Sequence, residues 1–252
     1  MSHVKEIPGP PTVVLVHGAF ADSSSWNGVI ERLQAKGVQV TAPANPLRGL
    51  TSDAAYLVGV LGQTQGPVLL VGHSYGGAVI SDAAHRASNV VGLVFVAAFA
   101  PETGEILGQV TPTSKDAILG TALVPHQFSM DGGVATEFVV DPAKFHDVFA
   151  ADLQADRAAV LAATQRPVAD AAFSDVMGTP AWKDLPSWAV VATADKAAGT
   201  DLTRSMAERA GATITELDGS HVIMISQPQA VAEVILEAVA AVASRQAIGA
   251  VG

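Results

Sequence analysis

The chain has 252 residues, 49% hydrophobic and 15% charged, with a formal net charge of −10 and no cysteine. That length and apolar content suit one large α/β domain with room for an inserted subdomain. An acidic chain without a cluster of Lys and Arg has no means of neutralising phosphates, and a chain without cysteine has no disulfide, thiol nucleophile or zinc–thiolate site.

The start, Met1 to Pro11, carries Lys5, Glu6 and three prolines and lacks an apolar h-region, so no secretory signal is expected. The longest apolar run, Val90 to Ala100 broken by Gly92, is too short to span a bilayer. These features predict a cytoplasmic protein with neither membrane nor nucleic acid as partner. They leave monomer and homodimer equally open.

Thr12 to Val16 is a continuous apolar run, as expected of a strand covered on both faces. It ends in His17-Gly18-Ala19-Phe20. Asp22 to Ser25 offers N-caps for a helix carrying Trp26, Val29, Ile30 and Leu33 on one face and closed by Gly37. Val38 to Ala42 reads as the next strand, followed by a proline-bearing loop from Pro43 to Leu50. Ser52-Asp53 caps a helix through Tyr56, Leu57, Val60 and Leu61. Strands follow at Val68–Gly72 and Val90–Ala97. From Pro101 to Pro180 the alternation is lost among glycines, prolines and short helical pieces such as Pro142–Ala150. Alternation resumes with a strand at Ser187–Thr193, a helix at Asp201–Ala210, a strand at Thr213–Leu217 and a helix from Gln227 to about Ala243, after which the chain is expected to fray. Six apolar strands alternating with helices predict a doubly wound, mostly parallel α/β sheet. The core is assigned to residues 1–100 and 181–252, and a cap insertion to residues 101–180.

Gly72-His73-Ser74-Tyr75-Gly76-Gly77 stands where a strand turns sharply into a helix. A serine at the apex of such a turn, at positive φ, forces neighbouring segments together, and glycines two residues to either side leave room for that approach. A serine hydroxyl needs a base, and the base needs an orienting carboxylate. In a parallel sheet these belong after later strands. Asp195 follows the Ser187–Thr193 strand, and His221 lies in the Asp218-Gly219-Ser220-His221 loop after the last. Asp195 also fits a helix cap, and Asp218 fits a turn. The Tyr75 N–H at the helix start suits one oxyanion donor, and the Ala19 N–H, with Phe20 as the alternative, suits the second. His17 and His73 flank the site as hydrogen-bonding residues; His126 and His146 read as surface residues. No metal-ligand spacing is present, and neither metal nor cofactor is expected.

His17-Gly18-Ala19-Phe20, Gly72 to Gly77, Ala194-Asp195-Lys196 and Gly219-Ser220-His221 resemble the α/β-hydrolase superfamily, in particular its compact branch of plant methylesterases, hydroxynitrile lyases and bacterial small-ester hydrolases. The resemblance covers nearly the whole chain outside Pro101–Pro180. It implies Ser74 as nucleophile, His221 as base and Asp195 as its partner. It also implies carboxylesterase action on a small, fairly apolar ester, with Phe20, Phe128, Phe145, Phe149 and Trp182 as candidate pocket residues and Phe99, Phe138 and Leu153 as further ones. Relatives often carry an apolar, proline-bearing turn after the acid, whereas Lys196-Ala197-Ala198-Gly199-Thr200 stands here. In the lyase subfamily a threonine usually replaces the glycine of the first turn and a lysine follows the histidine; here those positions are Gly18 and Val222. A lyase, a perhydrolase and a catalytically weak small-molecule receptor are the alternatives.

Overall fold

A computed structural model describes residues 9–130 and 132–249. Most of the Met1–Pro11 segment therefore lies outside the described residues. The described residues form nine strands: β1 (Thr12–Val16), β2 (Val40–Thr41), β3 (Val68–His73), β4 (Val90–Val96), β5 (Leu123–Met130), β6 (Gly133–Val140), β7 (Val168–Ala169), β8 (Ser187–Ala192) and β9 (Thr213–Leu217). Six of them make one sheet in the order β2-β1-β3-β4-β8-β9, with every neighbouring pair parallel.

The uniformly apolar strands follow from this arrangement, because successive side chains point to opposite faces and both faces are covered. Val14 and Val16 of β1 and Leu70 of β3 enter one core with Leu57 and Leu61 of helix α2 (Leu50–Gln63) and Ala78 of helix α3 (Tyr75–His85). Val13, Leu15, Leu69 and Val71 enter the other, against Val29 and Leu33 of helix α1 (Asn27–Ala35) and Val231 and Ile235 of the final helix. Phe145, Phe149, Val140 and Val168 join the first core.

Several expectations shift. The second strand is two residues long rather than five: it pairs only through Val40 and Thr41 at the sheet edge, and Pro43 just beyond has no N–H to extend the ladder. Helix α2 begins at Leu50, so Ser52 and Asp53 lie inside its first turn rather than capping it. Gly49, at φ 149, occupies the N-cap, and the distant Asp175 accepts the Thr51 N–H at 3.1 Å. The final helix, Pro228–Gly249, continues past Ala243, because no proline or interior glycine interrupts the segment before Gly249. Residues 101–180 carry, besides the Pro142–Phe149 helix, a second sheet: antiparallel β5–β6 with β7 alongside. Gly132 and Gly133, at φ 92 and 155, give the turn between β5 and β6.

The close approach at the strand–helix turn is steric fact. A Cβ on Gly72 would stand 2.6 Å from the Gly76 carbonyl oxygen, and one on Gly76 would stand 2.5 Å from that of Val16. Only glycine fits at either position.

Candidate active site

Ser74 caps the N-terminus of α3 at φ 53, a strained backbone for a residue with a side chain. Its backbone is pinned on both sides. The Ser74 N–H donates to Val96 O at 3.3 Å, and Ser74 O accepts from the Gly77 and Phe99 N–H groups at 2.9 and 3.2 Å. Ser74 is buried at the base of a narrow cavity together with Ala19, Tyr75 and His221.

His221 follows β9 and Asp195 follows β8, so the parallel order returns both loops to the same sheet edge as Ser74. His221 Nδ1 stands 2.8 Å from Asp195 Oδ2, with both side chains buried. Asp195 Oδ1 accepts the Ala197 and Ala198 N–H groups at 2.8 and 3.0 Å. The Asp195 N–H donates to Thr200 Oγ1, whose hydroxyl donates to Ala192 O at 2.8 Å. The Lys196–Thr200 segment, which lacks the relatives' proline, thus aims the carboxylate through backbone amides and one threonine. Because Asp195 accepts at Nδ1, that nitrogen carries the proton, and Nε2 is the acceptor. Nε2 is buried without a hydrogen-bond partner.

Two further histidines frame the site. His73 Nε2–H donates to His221 O at 2.9 Å, and the two rings lie 4.6 Å apart. His17 Nδ1–H donates to Gly18 O and its Nε2 accepts the Asn45 N–H, both at 2.9 Å, while Asn45 Nδ2 donates to His17 O. Asn45 therefore clamps the turn carrying Ala19. The Tyr75 N–H is at the first position of α3, where a helix amide has no intrahelical acceptor. Burial lowers the His17 pKa to about 4 and holds His73 well below the usual imidazole range.

Both shifts have a consequence for stability. The unfolded chain takes up protons near pH 6.5 that the folded chain refuses until much lower pH, so stability falls as pH drops from 6.5 toward 4. His17 alone contributes at most about 3 kcal/mol to that loss. Thermal unfolding measured across pH 4–7 is expected to follow this decline, and a flat curve would contradict buried neutral histidines.

The cavity over Ser74 is lined also by Phe20, Phe99, Thr111, Leu119, Phe149, Phe173, Ala197 and Ala198. A second cavity beyond it is lined by Phe20, Asp22, Phe145, Phe149, Leu161, Val222 and Met224 among others. Phe20 and Phe149, edge to face at 6.2 Å, border both. Phe149 also stacks edge-on against His221 at 4.9 Å. Phe128 and Trp182 line neither cavity. Phe128 is on the β5–β6 hairpin under the Arg48 guanidinium, and Trp182 is tied to Pro101 O through its ring N–H. Aromatic character alone could not separate packing from lining. Phe138 packs on Phe173, and Leu153 O accepts from His146. Thr111, Leu119 and Phe173 lie in single helical turns, Thr200 opens the Thr200–Arg209 helix and Asn45 is in a loop, and no motif in the sequence marks any of them.

Among the described residues no group of three or more His, Asp or Glu could hold a metal ion, and no helix is long and apolar enough to cross a membrane.

Comparison with known proteins places these elements in context. The chain is 32% identical over 129 residues to the pyrethroid hydrolase of Sphingobium wenxiniae, a match spanning 42% of this chain and 45% of that protein. It is 26% identical to the alpha/beta hydrolase nvfD of Aspergillus novofumigatus over 90% of this chain and 96% of the other. Polyneuridine aldehyde esterase superimposes with a TM-score of 0.77 at 18% identity, covering 91% of this chain and 99% of that one, a likeness of fold. The family model for the alpha/beta hydrolase family matches residues 13–234. With that match over most of its length and the parallel sheet it describes, the chain belongs to the alpha/beta hydrolase family.

Proposed function

We propose that this chain is a serine carboxylesterase cleaving a small, neutral, fairly apolar ester through an acyl-enzyme on Ser74. One observation carries the reading: His221 is bound through Nδ1 to Asp195, while its buried, unpaired Nε2 belongs to a residue lining the same cavity as Ser74.

In the first half-reaction Ser74 Oγ attacks the acyl carbon as His221 Nε2 takes the hydroxyl proton. The carbonyl electron pair moves onto oxygen, where the Ala19 and Tyr75 N–H groups stabilise it. Asp195 holds the imidazole tautomer and offsets the charge of the imidazolium. Collapse of the tetrahedral intermediate breaks the ester C–O bond, and the imidazolium gives its proton to the leaving alcohol. In the second half-reaction His221 takes a proton from water as its oxygen attacks the acyl carbon; the C–Oγ bond then breaks, the imidazolium returns its proton to Ser74 Oγ, and the acid leaves.

Residues 101–180 are proposed to act as the cap over a core of residues 1–100 and 181–252; Thr111, Leu119, Phe149 and Phe173 of that segment line the cavity. The preference for neutral esters follows from charge. No Lys or Arg lines either cavity, and Asp22 is the charged group of the outer one. A free carboxylate on the substrate would be desolvated without a counter-ion. Both cavities are lined mostly by apolar side chains. Their shared Phe20–Phe149 border suits an ester with an apolar group on each side of the scissile bond. That similar proteins include a pyrethroid hydrolase and polyneuridine aldehyde esterase supports hydrolysis as the reaction.

Nothing observed favours a lyase: a Cβ at Gly18 would meet the Ser74 Cβ at 2.7 Å, leaving no room for the lyases' threonine. Turnover of p-nitrophenyl acetate and butyrate, compared with an ester of similar size bearing a free carboxylate, tests the proposal. The neutral esters are expected to be preferred by about tenfold or more in kcat/KM. Equal turnover of the anionic ester would contradict the substrate class. Tight binding of a small molecule with no turnover of any ester would instead favour a receptor.

A further inference from the structure

Asp53 and Asp195 are the two fully buried carboxylates among the described residues, and only Asp195 has a part in the mechanism above. Asp53 has no basic side chain to balance it: Arg48, its nearest basic neighbour in sequence, reaches away to Glu137 at 2.7 Å. What holds the carboxylate is the Arg48 backbone N–H, 3.0 and 3.2 Å from its two oxygens, and the Tyr75 hydroxyl, which donates to Oδ2 at 2.8 Å. Burial raises the Asp53 carboxyl above the usual range, and burial together with Asp53 itself holds the Tyr75 phenol well above its own. The phenol therefore stays a donor across the working range of pH.

Tyr75 is the residue after Ser74, and its own amide is one of the two oxyanion donors of the proposed mechanism. An N–H aimed at a developing oxyanion is effective only over a few tenths of an ångström. A residue held at φ 53 keeps that conformation only where its neighbours over-determine it. Backbone hydrogen bonds fix Ser74 itself. On the C-terminal side the Tyr75 phenol supplies a side-chain anchor, reaching back to the first turn of α2. We propose that Asp53 is a positioning residue for the oxyanion hole, acting through the Tyr75 hydroxyl to hold the Tyr75 amide and the strained Ser74 in reactive geometry. This rests on the ester-hydrolase reading.

The same anchor ties the insertion to the nucleophile. Leu47, at φ 61, gives its carbonyl to the Ala169 N–H at 2.9 Å, and Asp175 accepts the Thr51 N–H. The turn that presents Asp53 is thereby fastened at both ends to the segment over the cavity. Docking of that segment reaches the oxyanion hole through one carboxylate and one phenol.

Three variants of the full chain test the inference: Tyr75→Phe, Asp53→Leu and Asp53→Asn. Each is assayed for kcat and KM on p-nitrophenyl butyrate, for inhibition by an alkyl trifluoromethyl ketone, and for Tm. The ketone forms a hemiketal oxyanion on the serine, so its affinity reads the hole directly. Tyr75→Phe and Asp53→Leu are expected to lower kcat by about tenfold or more with KM within about threefold, and to weaken the ketone by a matching factor. Asp53→Asn keeps an acceptor for the Arg48 N–H and a polar partner for the phenol, and is expected to restore most of that loss. Wild-type kcat and ketone affinity with a lowered Tm would overturn the inference, because a merely structural bond moves stability alone. Should Asp53→Leu fail to fold, Tyr75→Phe, which removes a single oxygen, decides. A wild-type chain that neither turns over esters nor reacts with a fluorophosphonate would overturn the hydrolase reading, and the inference with it. A wild-type chain that does both, with Tyr75→Phe unaffected, would overturn the inference alone.

Discussion

Ser74→Ala is expected to lower kcat for p-nitrophenyl butyrate by about a thousandfold or more while leaving the fold intact. In the proposed mechanism the substitution removes the single atom that forms the acyl bond, and the other hydroxyls among the described residues lining the cavity are engaged elsewhere: that of Thr111 donates to Leu107 O and that of Tyr75 to Asp53. The backbone strain at φ 53 is the same for alanine as for serine. The backbone bonds to Val96, Gly77 and Phe99 need no side chain. Thermal unfolding should therefore move by no more than a few degrees, which separates lost chemistry from lost structure. KM should change much less than kcat, since the cavity walls are untouched. Retention of more than about a tenth of the wild-type rate would contradict a nucleophilic role for Ser74.

Asp195→Asn is expected to cost about a thousandfold to ten-thousandfold in kcat, although it replaces one oxygen by a nitrogen of the same size. The local hydrogen bonds decide how the amide is oriented. Two backbone N–H groups, from Ala197 and Ala198, point at the Oδ1 position and accept only an oxygen there. The Asn NH2 must then occupy the Oδ2 position and donate to His221 Nδ1. That forces the proton onto Nε2, the nitrogen that receives the Ser74 proton in the proposed mechanism. Reorienting the amide to avoid this would leave two buried N–H groups facing an NH2, a penalty of several kcal/mol. The loss should ease at alkaline pH, where hydroxide can assist. Wild-type kinetics in Asp195→Asn would show that the carboxylate is a loop-capping group, the other role its sequence position permits.

How much of this was legible in the chain varies with the kind of interaction. The six-stranded sheet was readable because strands covered on both faces must be apolar throughout, and β1, β3, β4 and β8 are. Ser74 was readable for a steric reason: only glycine fits at Gly72 and Gly76. Other features were hidden because they depend on tertiary partners. Asp53 has the look of a helix cap beside Ser52, yet it turns inward to a tyrosine in another helix, and the first-turn Thr51 N–H is accepted instead by the distant Asp175. Ala197 and Ala198 have no chemistry of their own, but their amides aim Asp195. Phe128 and Trp182 matched an apolar pocket by composition, while their surroundings, a guanidinium over one ring and a backbone carbonyl on the other's N–H, use them for packing. The β5–β6 hairpin was hidden for a similar reason: β5 is largely exposed and β6 mostly half-buried, so the period-2 apolar pattern is weak.

The most direct test of an acyl-enzyme on Ser74 is intact-mass measurement of the protein quenched in acid within its first turnovers on p-nitrophenyl butyrate, followed by peptide mapping. The expected result is a transient mass increase equal to one butyryl group, located on the peptide containing Ser74 and absent from Ser74→Ala. Ester turnover at the wild-type rate with no adduct on that peptide, or with an adduct on another residue, would contradict it.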